Sequence, residues 1–378
     1  MRTLQQSLLA VALTLGVAGA HAADSEIVIG AVYPLSGGVS YDGQTELNGA
    51  KVALEEINRA GGVLGKKIRL VAEDGACNPG HSVTAAEKLI TNDHVVGILG
   101  ALCSSATGAV SEAVKKHSIP LITGVSTAER LTETGNPWFF RATTTTSLNG
   151  ASLGKALIDI SHAKRIAFIV TSDDWGRSAV KAYGDALKAL GAEVVADEYF
   201  DRNDTDFTEH LTKIRAAKPD AIFSVGGFQN AANVTTQARQ LGITVPILGE
   251  GAFCSATWAK LVGTFTTNVT GIIEWVPEIE TAMNKTFMDE YQKAFKEAPT
   301  KFSAAGYNTM HIIAAAIKRA GTTEPEKLRQ AIAQTDYESL MGRYRFDQKG
   351  QAYGFNVYLV AWKDGHSVVE KKVEIAKQ

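Results

Sequence analysis

Short apolar runs alternate with amphipathic stretches along most of the chain. Residues 27–32 (IVIGAV) form an unbroken apolar run, which is typical of a β-strand buried on both faces. The next segment carries apolar side chains at a spacing of three and four residues, which predicts a helix with one apolar face. These side chains are Leu47, Ala50, Leu54 and Ile57. Strands and helices in this alternation imply parallel sheets covered by helices on both faces.

The same alternation continues to residue 123 and restarts beyond Arg141, so two sheets are expected. The further predicted strands are 68–72, 95–99, 121–123, 165–170, 194–196, 221–225 and 245–248. The further predicted helices are 83–90, 106–116, 179–190, 207–217 and 231–241. The last third is harder to place, with strands expected at 271–276 and 355–362 and helices at 286–295, 308–320 and 325–333. Ligands of such sheets bind at the carboxyl ends of the strands, beside helix N-termini.

Residues 1–22 are predicted to be a secretory signal peptide. Arg2 gives a positive start, residues 8–17 form an apolar run too short to span a bilayer, and residues 20–22 (AHA) offer a cleavage site. No cysteine follows the cut, so no lipid anchor is expected. The mature chain is therefore expected to be soluble and to lie outside the cytoplasm.

Composition narrows the classes of partner. Hydrophobic residues make up 45% and charged residues 21% of the chain, as in an ordinary globular protein. The formal net charge is −2 and no basic stripe occurs, so nucleic acid is a poor candidate partner.

The three cysteines are Cys77, Cys103 and Cys254. In an exported chain, a pair of cysteines is expected to oxidise. Cys77 and Cys103 each directly follow a predicted strand, and they are the pair we expect to form a disulfide. Cys254 would then be a free thiol, either a small buried side chain or a functional group.

Enzymatic motifs are missing from the sequence. No Gly-x-Ser-x-Gly elbow, His-Glu-x-x-His or cysteine/histidine cluster at zinc spacing occurs. Residues 150–155 (GASLGK) resemble a phosphate-binding loop, but the stretch is one residue short and lacks the following Ser or Thr. We therefore expect a non-enzymatic protein without a metal or cofactor.

Two hydroxyl-rich turns offer anion-binding geometry. Residues 102–107 (LCSSAT) join a predicted strand to a helix N-terminus, where free N–H groups and the helix dipole favour a carboxylate that Ser104 can also contact. The alternative is that Ser104 or Ser105 only caps the helix. Ser126 and Thr127 follow the next strand, where each alone is more often a turn residue. Two adjacent strand ends would converge on one ligand.

The second half supplies an acid and two aromatic residues after its own strands. Trp175 and Phe228 follow predicted strands and can cover a ligand, and Glu250 lies between two glycines and can meet an ammonium group. Each alone is more often a surface or packing residue. Together they fall where a cleft between two lobes would lie.

These residues and several longer stretches carry a resemblance to the periplasmic leucine/isoleucine/valine-binding proteins, the type I solute-binding components of ABC importers. The resemblance covers essentially the whole mature chain. The stretches that carry it are 32–43 (VYPLSGGVSYDG), 55–65 (EEINRAGGVLG), 74–79 (DGACNP), 100–105 (GALCSS), 123–131, 140–141 (FR), 206–207 (DF) and 306–308 (GYN).

The resemblance implies a type I periplasmic-binding-protein fold, which is α/β with two doubly wound parallel-sheet lobes joined by a three-segment hinge. Lobe one would comprise residues 26–144 and 277–354, and lobe two residues 145–276 and 355–378. The resemblance also implies the same Cys77–Cys103 disulfide.

It further implies a ligand held by its backbone groups. Ser104 and Thr127 would bind the ligand carboxylate, while the Val125 carbonyl and Glu250 would bind the ammonium group. Trp175 stands where the family has a covering aromatic residue, usually tyrosine.

Three further ligand-binding positions depart from the family pattern or have an uncertain register. Phe228 stands where another tyrosine is common, and Ser126 where an alanine is common. Tyr41 or the adjacent Asp42 would line the side-chain pocket, and Tyr41 is the residue we predict.

The function implied by the resemblance is capture of a small amino acid, branched-chain or otherwise neutral and aliphatic, and its delivery to the membrane permease of an ABC importer by a monomeric protein. The alternatives are a binding protein for an aromatic carboxylic acid or a small amide, and a ligand sensor that feeds a regulator. Glu250 favours an ammonium-bearing ligand because a buried acid without a cationic partner is costly.

Overall fold

A computed structural model describes residues 26–251 and 253–377 as two α/β layers, each built around its own sheet. The predicted signal peptide lies outside the described residues. Within these residues, no helix combines the length and the apolar composition needed to cross a membrane.

The smaller sheet has five strands in the order β2-β1-β3-β4-β5, and all neighbouring strands are parallel. Its strands are β1 (Ile27–Tyr33), β2 (Ile68–Asp74), β3 (Ile98–Gly100), β4 (Leu121–Thr123) and β5 (Phe139–Arg141). The helices that connect them are α1 (Ser40–Arg59), α2 (Pro79–Thr91) and α3 (Ser104–His117), and a short 3-10 helix spans Glu129–Thr132. Parallel strands need such crossover helices, which explains the alternating sequence pattern.

Both faces of β1 are covered, as its unbroken apolar sequence predicts. Ile27, Ile29 and Ala31 belong to one cluster of buried side chains, whereas Val32 belongs to a second cluster. Because successive side chains of a strand point to opposite faces, the two clusters lie on either side of the sheet.

The larger sheet has nine strands and begins with a parallel half. The strands of this half are β6 (Arg165–Thr171), β7 (Glu193–Phe200), β8 (Ala221–Gly226), β9 (Ile247–Gly251) and β10 (Val269–Ile273). Its helices are α4 (Thr146–Ser161), α5 (Asp174–Ala189), α6 (Thr208–Ala216), α7 (Phe228–Gln240) and α8 (Ala256–Val262). The strand order β10-β9-β8-β6-β7 is parallel throughout.

The last third adds three helices and an antiparallel extension of the larger sheet. The helices are α9 (Ala282–Phe295), α10 (Lys301–Ala320) and α11 (Pro325–Ala333). The strands are β11 (Asp336–Ser339), β12 (Gly342–Phe346), β13 (Ala352–Lys363) and β14 (His366–Glu374), and β13 joins them to β10. The lobe boundaries at residues 144, 277 and 354 remain a prediction.

Helix α10 crosses α1 at very short range, and two glycines make the crossing possible. A Cβ atom placed on Gly49 would lie 1.8 Å from the Ser303 carbonyl oxygen, and one on Gly306 would lie 1.9 Å from the Glu46 carbonyl oxygen. Any larger residue would separate the helices. The crossing sets the first two turns of α10 beside residues 46–49 of α1.

The predicted α/β fold class is confirmed, and the differences are local. Helices α4 and α8, the short 3-10 helix and strands β5, β11, β12 and β14 have no counterpart among the predicted elements. Residues 150–155, which resemble a phosphate-binding loop, lie inside α4 and form no loop. The antiparallel strands were missed because they are partly exposed and carry polar residues.

Candidate functional site

A cavity lies between the two layers, at the carboxyl ends of strands from both sheets. Residues from four helices, one strand and the loops between them line it. They are Asp42, Leu102, Ser104, Val125, Thr127, Trp175, Arg202, Gly227, Glu250, Lys301 and Phe302. Five of the eight predicted ligand-binding residues are in this set. The remaining three, Tyr41, Ser126 and Phe228, lie nearby but do not line the cavity.

Ser104 lies at the open N-terminus of α3. It is the first residue of the helix, and the preceding Cys103 makes no side-chain capping hydrogen bond. The Ser104 side chain is buried, and its Oγ accepts a hydrogen bond from the backbone N–H of Ala128 at 3.3 Å. Ser105 Oγ instead accepts a hydrogen bond from the Asp174 N–H at the start of α5. Neither serine caps α3, so the positive end of the helix faces the cavity without a side-chain cap.

A disulfide between Cys77 and Cys103 supports this helix end. The bond is formed, with the two Cα atoms 5.5 Å apart, as predicted. It closes a segment of 26 residues, which stabilises the fold by about 3.5 kcal/mol in the chain-entropy model. It also ties the residue before Ser104 to the loop after β2.

The third cysteine, Cys254, is buried and lies away from this cavity. Its Sγ donates a hydrogen bond to the Val269 carbonyl at 3.3 Å, and burial raises the pKa of the thiol. A thiol with a raised pKa is a poor nucleophile. Cys254 is therefore a packing residue of the larger sheet.

The turn after β4 brings Val125 and Thr127 to the cavity. Thr127 Oγ1 donates a hydrogen bond to Glu250 Oε1 at 3.3 Å, which joins the smaller sheet's edge to the larger sheet. Ser126 faces the other way: its Oγ donates to the Leu102 carbonyl at 2.9 Å and lies 2.6 Å from Thr107 Oγ1. Ser126 thus joins the two hydroxyl-rich turns to each other and does not line the cavity.

Glu250 is a buried carboxylate at the end of β9. Its exposed fraction is 1%, and no hydrogen-bond partner in the described part of the chain meets its Oε2. The pKa of Glu250 is raised to about 7, chiefly by burial and also by Glu274, although Tyr183, Lys301 and Trp175 act to lower it. The carboxylate is therefore short of positive partners.

The position of Glu250 depends on the glycine that follows it. Gly251 has φ +107°, a conformation that side chains rarely adopt, and a Cβ atom there would lie 3.1 Å from the Trp175 ring. The glycine allows the ring to close over the end of β9. The sequence predicts a glycine-flanked turn at this point, but Glu250 lies within the strand itself.

Trp175 is fixed from two sides. Asp173 caps α5 by accepting hydrogen bonds from the N–H groups of Trp175 and Gly176, at 3.0 and 3.2 Å. The Arg202 guanidinium lies 5.3 Å from the centre of the Trp175 ring and pairs with Asp173 at 2.6 Å. Trp175 therefore forms a rigid wall of the cavity, consistent with the predicted covering role.

Phe228 and Tyr41 form a second layer behind the wall. Phe228 is buried, with its ring centre 5.6 Å from that of Tyr41 and 5.5 Å from that of Phe302. Tyr41 is 39% exposed at the outer end of this row. Tyr41, which we predict to line the side-chain pocket, does not line the cavity, whereas the adjacent Asp42 does.

Apart from Asp42, five cavity residues were not among the predicted ligand contacts: Leu102, Arg202, Gly227, Lys301 and Phe302. Lys301 is the first residue of α10, and its Nζ pairs with Glu274 Oε2 at 2.8 Å. A cation at a helix N-terminus opposes the helix dipole, which is the one signal in the sequence that could have marked Lys301. Arg202 lies in a polar loop and carries no comparable signal.

The comparisons with known proteins match nearly the whole chain to one family. The sequence pattern described as "Periplasmic binding protein" matches residues 26–367. An "Amino acid binding protein" of Pseudomonas aeruginosa is 27% identical over 370 residues, which cover 96% of this chain and 97% of that protein. The "Leucine-specific-binding protein" of Salmonella typhimurium is 26% identical and covers 98% of this chain and 100% of its own length.

Solved structures show the same fold. The branched-chain amino acid transporter substrate-binding protein LivJ of Streptococcus pneumoniae, in complex with isoleucine, superposes with a TM-score of 0.83 at 29% identity, covering 93% of this chain and 100% of that one. A solute-binding protein of R. palustris in complex with benzoate has a TM-score of 0.84 at 21% identity, covering 93% and 97%, and shows the fold alone. The relatives are solute-binding proteins of transporters and not enzymes. This chain belongs to the periplasmic binding protein family.

Proposed function

We propose that this chain is the substrate-binding component of an ABC importer, and that it captures an amino acid in the cavity between its two lobes. The observation that carries the proposal is that one cavity contains both hydrogen-bond donors for a carboxylate and a buried acid that can accept from an ammonium group. Ser104 at the N-terminus of α3 and Thr127 offer donors to a carboxylate, and the buried Glu250 offers an acceptor to an ammonium group. A zwitterion satisfies both ends at once.

Glu250 separates an amino acid from an aromatic acid. A buried carboxylate without a cationic partner is costly, and an α-ammonium group supplies that partner whereas a benzoate does not. Two related proteins were solved with benzoate and with 3,4-dihydroxybenzoic acid, but at 21% and 24% identity they bear on the fold only. We therefore favour an amino acid over an aromatic acid or a small amide.

The side chain of the amino acid is the finer part of the proposal. Relatives named as leucine-specific, and as leucine-, isoleucine-, valine-, threonine- and alanine-binding proteins, favour a small neutral aliphatic side chain. Phe302 and Leu102 would contact such a side chain. The charged residues of the lining fit an aliphatic side chain less well than Phe302 and Leu102 do.

Hinge closure is the mechanism that we infer. Contacts already cross the cleft away from the cavity: the Gly38 N–H donates to Asn203 Oδ1 at 3.0 Å, and Arg130 Nε donates to Asp174 Oδ2 at 3.1 Å. A ligand can contact Ser104 on one side and Glu250 on the other only when the cleft is closed. These contacts stabilise the closed state alone, so binding shifts the population towards closure. The closed surface is what a membrane permease would recognise.

The cellular location and the partner of the protein are proposed from its family. We propose a periplasmic monomer that delivers its ligand to a permease. A sensor that feeds a regulator would use the same closed state, and co-purification with a permease or with a sensor distinguishes the two.

A thermal-shift and calorimetric screen of the purified mature chain tests the proposed function. The panel contains L-amino acids, their α-keto or amide analogues, benzoate, 4-hydroxybenzoate and urea. We expect an amino acid to stabilise the protein by about 4 kcal/mol at a thousandfold excess over its Kd, and the analogues lacking one charge to have little effect. Stabilisation by an aromatic acid, with none by any amino acid, would contradict the proposal.

A further inference from the structure

A second buried carboxylate faces the cavity and has no role in holding the two charged ends of an amino acid. Asp42 belongs to the first turn of α1, lines the same cavity as Glu250, and is 2% exposed. The two acids come from different lobes, Asp42 beside α10 and Glu250 from the end of β9. The cavity therefore presents carboxylates at two separate places.

The two cations that line the cavity are already neutralised by acids outside its lining. Lys301 Nζ pairs with Glu274 at 2.8 Å, and Arg202 pairs with Asp173 at 2.6 Å. Within residues 26–251 and 253–377, neither Asp42 nor Glu250 has a cationic nitrogen within 4.0 Å. The acids of the cavity are thus the unpaired charges, and the bases are not.

The protein leaves Asp42 with few donors of its own. Its Oδ2 lies against the backbone at the start of α7, where a Cβ atom added to Gly227 would be 2.5 Å away. Burial raises the pKa of Asp42 to about 7, although Arg202, the Phe228 backbone N–H and Lys301 all act to lower it. A carboxylate with so raised a pKa gains from any further donor.

The neighbouring acid on α1 does not compete for that donor. Glu46 lies one turn along the helix, is fully buried, and has neither carboxylate oxygen hydrogen-bonded in the described part of the chain. Burial raises the pKa of Glu46 well above its usual value, and Glu46 does not line the cavity. Asp42 is the acid that a ligand side chain can reach.

We infer that the amino acid bound here carries an N–H donor at the far end of its side chain, a primary amide, a ureido group or a cation, and that Asp42 accepts it. This inference rests on the proposed function, because it assigns the second end of the same ligand. It departs from the aliphatic side chain that the relatives favour. A methyl group beside Asp42 would add no donor to a buried carboxylate that has few.

Isothermal titration of the wild-type protein with amino acids of matched shape tests the inference. Leucine is compared with asparagine, which has the same branched outline, and glutamine, citrulline, lysine and arginine complete the panel. We expect the best donor-bearing amino acid to bind at least 100-fold more tightly than leucine, isoleucine or valine, because a site built for a donor rejects the analogue that lacks it. Preference for an amide or for a cation identifies the kind of donor, and either supports the inference.

Two results separate failure of the inference from failure of the proposed function. Tight binding of leucine, isoleucine or valine with weak binding of every donor-bearing amino acid overturns the inference and leaves the proposed function standing. Binding of no amino acid overturns both.

Variants at Asp42 test whether this residue sets the selectivity. Asp42→Leu is expected to lower the affinity ratio of the donor-bearing ligand to leucine at least tenfold, and Asp42→Asn to lower it for a cationic ligand. Asp174→Asn is the matched control, since Asp174 also joins the lobes, through Arg130, but does not line the cavity. We expect Asp174→Asn to change both affinities equally. An unchanged ratio in folded Asp42→Leu removes Asp42 from the side-chain site.

Discussion

Two groups of residues reach the cavity in different ways. The strand-end group consists of Ser104, Thr127 and Glu250, each at or just beyond the end of a strand. The second group consists of Asp42, Arg202, Lys301 and Phe302, which come from two helix starts and a loop. The position of the strand-end group follows from the sheet topology, whereas that of the second group depends on how α1, α10 and the loop after β7 pack.

This difference suggests a division between recognition that the whole family would share and selectivity that is particular to one member. In the proposed function, the strand-end group would bind the carboxylate and ammonium groups, which every amino acid has. The second group would face the side chain, which differs between amino acids. Changes in the strand-end group should therefore abolish binding of all ligands, and changes in the second group should alter the order of preference.

The largest expected effect is at Glu250. Glu250→Gln keeps the shape of the side chain but leaves the ligand ammonium group buried without a counter-charge, which costs about 2–5 kcal/mol, or roughly 30- to 5,000-fold in affinity. Calorimetry measures this loss, and circular dichroism confirms that the variant is folded. The loss should be the same for every amino acid, and unchanged affinity would remove Glu250 from the site.

A smaller loss is expected from the hydroxyl groups. Ser104→Ala combined with Thr127→Ala removes two donors to the carboxylate while the N–H groups of α3 remain, so affinity should fall about 10- to 100-fold. Ser126→Ala is the control, because Ser126 does not line the cavity and its hydroxyl contacts the Leu102 carbonyl and the Thr107 hydroxyl. We expect this control to lower the melting temperature and to change the affinity little. Equal affinity losses in the two proteins would point to a different carboxylate site.

The smallest expected effect is the pH dependence of binding. In the empty cavity the pKa of Glu250 is about 7, raised first by burial and then by Glu274. An ammonium group favours the ionised carboxylate, so binding releases a proton, and affinity should fall about tenfold between pH 8 and pH 6 for one such group. Titrations in two buffers of different ionisation enthalpy measure the released protons.

Stability of the ligand-free protein should change in the opposite direction. A carboxyl whose pKa is raised on folding stabilises the fold most below its unfolded value of 4.5, and this contribution is lost as the pH rises through about 7. The stabilisation by ligand should therefore grow from pH 5 to pH 8. A Glu250→Gln variant should lose much of this trend, and an unaltered trend would assign it to another group.

The strand-end residues were accessible from the sequence because their positions follow from local order. A strand followed by a helix predicts where the chain turns, and parallel strands bring these turns to one edge. Ser104, Thr127, Trp175 and Glu250 were placed in this way, and they line one cavity. Their contacts with a ligand remain a prediction.

Other features lay beyond that logic. Ser126 and Thr127 are adjacent in sequence, but only the observed hydrogen bonds show that one holds the loops and the other faces the cavity. Phe228 follows a strand like Trp175, yet it packs between Tyr41 and Phe302. Side-chain direction at a strand end is set by what packs against it, which sequence order does not specify.

The sequence by itself determined the alternation of strands and helices, the pairing of Cys77 with Cys103, and the strand ends at which a small charged ligand would bind. Those features depend on hydrophobic periodicity and on neighbours that are near in the chain. Only the tertiary structure decided which charges remain unpaired. Asp42, Arg202 and Lys301 lie more than 90 residues apart, and only the close crossing of α1 and α10 at Gly49 and Gly306 and the packing of the two lobes make them parts of one cavity.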